Sequence, residues 1–286
     1  GPAMATVIDG RVATTVFVPL ASDGSLGVVA SAAARVQAVV VGYFTRAPVA
    51  VSAGRFVPAA GATLLDTDVS AGLSTVQVAG TAGLPASGLG SVVVQATASG
   101  SSARGGAQVG LPTMPVGGWT SLTVPSGRAA TVLTVSAIDG AGRIAVRVST
   151  AMHIRIVVRG WFTTQAAASS MAGLFVPIAT SRVFDSRRNG APATGSNSVS
   201  TRSVTALPQC SAGITGTLAV IPSVGSATQL GASVGFVAGD DRATVDDGTG
   251  STQRVTVVSS TGGTDSLTIR RVDAAQAVLD VTGWFL

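Results

Sequence analysis

The sequence contains no lysine and no glutamate, although it is 286 residues long. All 18 basic residues are therefore arginine, and all 13 acidic residues are aspartate. Lysine and glutamate are common on the solvent-exposed faces of helices, where they form pairs four positions apart. Their absence argues against a helix-rich fold. Since 36 glycines and 12 prolines supply many turns, we predict an all-β fold.

Cysteine and histidine occur once each, as Cys210 and His153. A single cysteine excludes a disulfide framework within the chain and a zinc site built on cysteines. Any Ser-His-Asp or histidine-metal chemistry has to pass through His153, and no Gly-x-Ser-x-Gly motif accompanies it. We therefore predict a structural role for His153 and no enzymatic activity. The enzymatic alternative is polysaccharide hydrolysis by paired aspartates, for which no pair stands out.

The net charge of +5 and the isoelectric point of about 11.1 do not indicate nucleic-acid binding. The high value arises because almost nothing titrates between aspartate and arginine, and the arginines are dispersed rather than gathered in a basic stripe. No apolar run is long enough to predict membrane insertion, and no signal peptide is recognisable. Residues 1–4 resemble the remnant of a cleaved purification tag.

Internal similarity is the strongest signal in the sequence. Three segments end in glycine, an aromatic residue and phenylalanine, and Phe-Val-Pro opens a unit at Phe56 and again at Phe175. We predict tandem repeats of about 110 residues, with full repeats at 55–163 and 174–286 and short linkers before each. Residues 5–45 match the final third of a repeat only. The three closing motifs are Gly42-Tyr43-Phe44, Gly160-Trp161-Phe162 and Gly283-Trp284-Phe285.

Strict alternation of apolar and polar residues predicts strands. Met152, Ile154, Ile156 and Val158 occupy every second position, which is typical of a half-buried strand. Two antiparallel sheets packed face to face, a β-sandwich, hide such faces in a unit of this size. The partial repeat is predicted to form strands at 15–18, 26–29 and 37–44, with a turn around residues 22–24. It has to pack on the following unit or on another chain.

The segments Phe175–Arg187 and Asp280–Phe285 resemble a repeat found in secreted surface proteins of high-GC actinobacteria, often beside cell-wall amidase or other hydrolase domains. This resemblance implies an extracellular or cell-surface accessory module. In the first full repeat, Thr63 and Asp68 stand where the opening motif has two arginines, so no role of those arginines carries over to it.

Three sets of residues are candidates for binding. Exposed aromatic rings offer a platform for carbohydrate, with packing as the alternative: Trp119, Trp161, Trp284 and Tyr43, whose neighbours Phe44, Phe162 and Phe285 we expect in the sandwich core. Arginines around Asp185 offer a clamp for an acidic sugar or carboxylate, with local salt bridges as the alternative: Arg182, Arg187 and Arg188. Aspartates of a turn-rich segment are candidate Ca²⁺ ligands, with solvated turns as the alternative: Asp240, Asp241, Asp246 and Asp247.

We therefore expect a non-catalytic module that acts in adhesion or as a spacer and binds a glycan, the cell wall or a protein partner. No cofactor is expected apart from the candidate Ca²⁺ ion. The alternative is a structural subunit of a surface filament, virion or secreted complex, which self-associates by strand addition through the partial repeat.

Overall fold

The computed structural model describes residues 13–18, 20–30, 32–45, 49–59, 61–115, 121–188, 199–203, 213–222, 230–235, 242–245, 253–259, 266–272 and 275–286. Between residues 199 and 275 the description is mainly of the backbone. In these ranges every regular element is a β-strand and neighbouring strands are antiparallel. The predicted all-β, antiparallel fold is confirmed.

Residues 56–163 form a β-sandwich of two sheets. One sheet has the order β1-β9-β4-β7, with β2 also paired to β9, and the other has the order β3-β8-β5-β6. The strands are β1 (Phe56–Pro58), β2 (Thr63–Val69), β3 (Gly72–Gln77), β4 (Leu89–Ser99), β5 (Gly105–Gly110), β6 (Leu122–Val124), β7 (Ala130–Ala137), β8 (Arg143–Val148) and β9 (Met152–Thr163).

The core of this sandwich lies between the two sheets, where side chains from both meet in one apolar cluster. The alternating residues Met152, Ile154, Ile156 and Val158 of β9 all belong to it, as predicted. Val157 is buried as well, at 2% exposure. Strand β9 is therefore covered on both faces along its second half.

Residues 175–285 form two further sheets. Their orders are β10-β17-β12-β15 and β11-β16-β13-β14. The strands are β10 (Phe175–Asp185), β11 (Val199–Ser203), β12 (Gly213–Pro222), β13 (Leu230–Gly235), β14 (Arg242–Val245), β15 (Gln253–Ser259), β16 (Ser266–Val272) and β17 (Ala275–Phe285).

The two halves have matching strand order and matching register. Strand β10 takes the place of β1 and β2 together, and each later strand occupies the position of the strand eight numbers earlier. Phe56 pairs with Phe162 in the first half, and Phe175 pairs with Phe285 in the second. The sequence repeat of about 110 residues stays a prediction, which this correspondence supports.

The described residues of the partial repeat, between 13 and 45, contain no strand. The strands predicted there were wrong. A strand needs a neighbour to accept its backbone hydrogen bonds, and this segment has none of the strands that flank β9 or β17. The predicted turn is present: the Gly24 amide donates to the Ala21 carbonyl (2.9 Å), and Gly24 has a φ of 80°.

The two predicted linkers pair with each other. Val51 and Ser170 form an antiparallel bridge, and the Arg55 guanidinium donates to the carbonyls of Ala168 (2.7 Å) and Ala172 (3.1 Å). The entry and exit of the first sandwich are thereby fastened together.

Candidate functional site

A cluster of four charged side chains lies at the end of β10. Arg182 is opposite Asp280 in the register of β10 and β17, and its Nε and Nη2 donate to the two oxygens of Asp280 (2.8 and 3.1 Å). The turn after β10 brings Arg187 onto Asp185, where Nε and Nη2 donate to the two carboxylate oxygens (2.8 and 2.7 Å). Two-pronged contacts of this kind are the strongest that arginine forms with a carboxylate.

Asp185 is the centre of this cluster and is only 4% exposed. Besides Arg187, it accepts from Arg182 Nη1 (3.3 Å) and from the backbone amide of Arg187 (3.1 Å). The hydrogen bonds from the Arg187 side chain lower the pKa of Asp185 to about 2, against the opposing effect of burial. Asp185 therefore stays ionised across the physiological range.

The three arginines of the predicted clamp surround Asp185 itself. Arg188 is the outermost, with its Nε 3.9 Å from the Asp185 carboxylate and its side chain 79% exposed. Arg182 and Arg187 direct their paired donors at protein carboxylates. The arrangement matches the local salt bridge that the sequence left open beside the clamp.

The same place in the first sandwich carries a different set of charges. His153 on β9 lies opposite Asp68 on β2, and its Nδ1 is 2.9 Å from Asp68 Oδ1. Its Nε2 is 2.8 Å from Asp66 Oδ1, and Arg155 Nε lies 3.5 Å from Asp66 Oδ2. The histidine thus bridges two carboxylates at the sheet edge.

Both ring nitrogens of His153 face acceptors, so both act as donors when the ring is the imidazolium ion. Hydrogen bonds to Asp66 and then to Asp68 raise the pKa of His153 above its usual value, while burial acts in the opposite direction. An imidazolium ion has no lone pair and cannot act as a general base. In its charged form His153 therefore links β2 to β9 by hydrogen bonds to two aspartates.

The aromatic residues of the closing motifs differ in exposure. Trp284 is 8% exposed, which fits the packing alternative rather than an open platform for carbohydrate. Trp161 is half-buried and packs against the core of the first sandwich. Tyr43 is 83% exposed and is the one of the three whose ring is open to solvent.

Six phenylalanines from three separated stretches of chain form one cluster, which we call the phenylalanine cluster. The closest pairs of ring centroids are Phe56 and Phe285 (4.3 Å, stacked) and Phe44 and Phe175 (4.7 Å). Phe162 and Phe285 are buried as expected, but in this cluster and not in the apolar cluster between the two sheets of the first sandwich, and the expectation of a buried ring is corrected for Phe44, which is 40% exposed. Its members are Phe17, Phe44, Phe56, Phe162, Phe175 and Phe285.

The phenylalanine cluster joins the two halves and the partial repeat. Phe56 and Phe162 belong to the first sandwich, Phe175 and Phe285 to the second unit, and Phe44 touches rings of both. Strand β7 also lies against β14 and β15 of the second unit. The sequence signal for this cluster is the repeated placement of the phenylalanines. Alternation of apolar and polar residues does not predict it, because alternation does not say what covers the second face of a strand.

Several predicted residues lie outside the described ranges. These are Trp119, Cys210 and the candidate Ca²⁺ ligands Asp240, Asp241, Asp246 and Asp247. Within the described ranges, no group of three or more His, Cys, Asp or Glu side chains is placed to hold a metal ion. The same part of the chain has no helix long and apolar enough to cross a membrane.

No protein-family model matches the chain, and no curated protein matches it. Among solved structures, it is similar to a chain of the Sulfolobus turreted icosahedral virus, with 12% identity, a TM-score of 0.19 and coverage of 87% of this chain and 99% of that one. It is also similar to the N-terminal CBM22-1-CBM22-2 tandem domain of Paenibacillus barcinonensis Xyn10C, with 10% identity, a TM-score of 0.19 and coverage of 79% and 98%. Neither likeness assigns a function to this chain.

Proposed function

We propose that this chain is a non-catalytic module of an extracellular or cell-surface protein, which acts in adhesion or as a spacer. It binds a glycan, the cell wall or a protein partner. The phenylalanine cluster carries this proposal, because it holds two β-sheet units and a third segment in direct contact. A flexible linker alone leaves units free to move apart, whereas a buried aromatic contact fixes their spacing.

The distribution of charge supports the same proposal. Asp185, Asp280 and Asp66 are all engaged by arginine or histidine side chains at short distance. The pKa of Asp185 is lowered to about 2, so this carboxylate suits a structural role better than proton transfer, which needs a pKa close to the working pH. The resemblance to secreted actinobacterial repeats supports the extracellular location.

The adhesive part of the proposal is tested by applying the wild-type chain to a glycan array and to purified cell walls. We expect binding that Tyr43→Ala weakens, because Tyr43 offers a ring that is 83% exposed. Val29→Ala is the matched control, since Val29 is 95% exposed in the same segment but has no ring. No binding to either material would remove adhesion to glycan or wall.

A second candidate function is assembly with another chain through the partial repeat. The observation that favours it is the exposure of apolar residues in this segment: Val40 is 82% exposed and Val28 is 60% exposed. Exposed apolar stretches of this kind mark interaction sites. Light scattering over a wide concentration range tests it, and a strict monomer at high concentration argues against self-assembly.

A further inference from the structure

In both β-sheet units, the glycine of the closing motif lies beneath the phenylalanine of a Phe-Val-Pro strand. A Cβ atom at Gly160 would overlap the ring of Phe56 and the carbonyl oxygen of Val57. A Cβ at Gly283 would overlap the ring of Phe175 in the same way. Glycine is therefore needed at this position because a neighbouring ring rests on its backbone.

The partial repeat has the same glycine, Gly42, but no ring rests on it. A Cβ at Gly42 would meet no atom of the described residues within 4 Å. Gly42 is also absent from the glycines with positive φ, so its backbone conformation does not require glycine. Among the described residues, no ring lies on Gly42 as the rings of Phe56 and Phe175 lie on Gly160 and Gly283; we call this open position the seat.

The segment that carries this seat is exposed where its counterparts are buried. Val40 is 82% exposed, whereas Val158 and Val281 at the same distance from the motif glycine are fully buried. Tyr43 is 83% exposed, whereas Trp284 is 8% exposed. Val158 is covered because it belongs to the apolar cluster between the two sheets of the first sandwich.

The end of this segment is already held in position. The ring of Phe44 lies 5.5 Å from that of Phe162 and 6.3 Å from that of Phe285, and the latter two are 6.2 Å apart. The three closing phenylalanines therefore form a nearly regular triangle. The segment that precedes Phe44 is presented next to an existing interface rather than on a detached tail.

Within the described residues, the chain's own Phe17 and Val18 do not fill the seat. The ring of Phe17 lies between those of Phe44 (6.0 Å) and Phe175 (5.9 Å). It is not among atoms within 4 Å of a Cβ at Gly42, and residues 13–18 form no strand with residues 40–44.

We propose that residues Gly42–Phe44 dock a Phe-Val-Pro strand from another polypeptide. The strand runs antiparallel, with its phenylalanine opposite Phe44 and its proline opposite Gly42, as Phe56 and Pro58 stand to Phe162 and Gly160. Strand addition of this type gains backbone hydrogen bonds along the edge, and the ring on the glycine gives sequence specificity. This inference rests on the proposed role in binding a protein partner and names the chemistry of that partner.

The test uses a fluorescent peptide with the sequence of residues 54–69, which contains Phe56-Val57-Pro58, and the full-length chain in an anisotropy titration. We expect saturable binding that Gly42→Ala weakens at least about tenfold, because a methyl group occupies the ring position. Gly27→Ala is the matched control: Gly27 is also in the partial repeat with nothing within 4 Å, and it is expected to bind the peptide normally. A peptide carrying Phe56→Ala is expected to bind no better than the wild-type peptide binds to Gly42→Ala.

Peptide binding that is absent, or that Gly42→Ala leaves unchanged, overturns the proposal. A lower melting temperature of Gly42→Ala without peptide also overturns it, since that result places a ring of the same chain on the seat. Self-association that Gly42→Ala abolishes supports it, with Phe17-Val18-Pro19 of a second copy as the docked strand. Glycan and cell-wall binding are measured in separate assays. A lack of binding there contradicts adhesion to these materials and does not affect the result with the peptide.

Discussion

Replacing Phe285 by alanine should uncouple the unfolding of the two β-sheet units, so that they unfold in separate transitions. Phe285 is fully buried and touches the rings of Phe56 (4.3 Å), Phe175 (5.4 Å), Phe162 (6.2 Å) and Phe44 (6.3 Å). Phe285 therefore links the second unit directly to both the first sandwich and the partial repeat.

The expected loss follows from the size of the side chain and its burial. Truncation of a buried phenylalanine to alanine costs about 3–5 kcal/mol, because the cavity that remains is only partly filled by relaxation. Stacked and edge-on ring pairs contribute roughly 0.5–1.5 kcal/mol beyond burial, which places Phe285→Ala near the upper end. For a chain of this size we expect the melting temperature to fall by on the order of 10 °C.

Differential scanning calorimetry with Phe184→Ala as the control isolates the coupling. Phe184 is 1% exposed on β10 and is not a member of the phenylalanine cluster, so its truncation removes the same atoms from a buried site outside that cluster. We expect Phe184→Ala to lower the melting temperature and keep one transition, whereas Phe285→Ala gives two. One transition in both variants, with equal shifts, would refute the view that the cluster couples the units.

Three further predictions concern the charged clusters and the motif glycine. Asp185→Asn should lower the free energy of unfolding by about 2 kcal/mol at neutral pH in urea titrations. Because the native pKa of Asp185 is about 2, the stabilisation that its carboxylate provides is present above the unfolded pKa and disappears as the pH falls from about 4 to 2. The pKa of His153 is raised, so its contribution to the free energy of unfolding is complete below about pH 6.5 and is lost as the pH rises through the native pKa. A pKa of His153 at or below about 6.5 in an NMR titration would contradict the bridging role of this histidine. Gly160→Ala should cost at least about 1–3 kcal/mol through overlap with Phe56, whereas Gly42→Ala should be close to neutral in chemical denaturation.

The local fold of the first sandwich follows closely from its sequence. In Met152–Val158 the alternation of apolar and polar residues identifies both the strand and the face that meets the opposite sheet. This succeeds because side-chain direction in a strand is fixed by position alone, with a period of two residues. The turn at residues 21–24 follows for a similar reason, since Asp-Gly favours a tight turn wherever it occurs.

Contacts between distant stretches do not follow from such local rules. Phe162 and Phe285 were expected in the sandwich cores, and they lie instead in the phenylalanine cluster. Alternation assigns a residue to one of two faces, but what covers the outer face depends on how whole units pack. The strands expected at 26–29 and 37–44 fail for the same reason, because their apolar pattern is present but no described strand pairs with them.

The charged clusters illustrate a second limit of sequence reasoning. Arg182 and Asp280 are 98 residues apart and meet only through the register of β10 and β17. Asp66, at the place of Asp185, lies closest to a histidine, His153 (2.8 Å), with Arg155 farther away at 3.5 Å. Because aspartate is the only acid in the chain and has a short side chain, its partner has to be long or directly opposite, and cross-strand register decides which is within reach.

The closing motif therefore serves two interfaces at once, which explains why it persists in the partial repeat. In the first sandwich Trp161 packs on the sandwich core, Phe162 enters the phenylalanine cluster, and Gly160 admits the ring of Phe56. Among the described residues of the partial repeat, Phe44 makes the phenylalanine contact, whereas Tyr43 is 83% exposed and no atom lies within 4 Å of a Cβ at Gly42. Packing in the phenylalanine cluster requires neither a glycine at position 42 nor an aromatic ring at position 43. Both residues become explicable once a second strand lies against them.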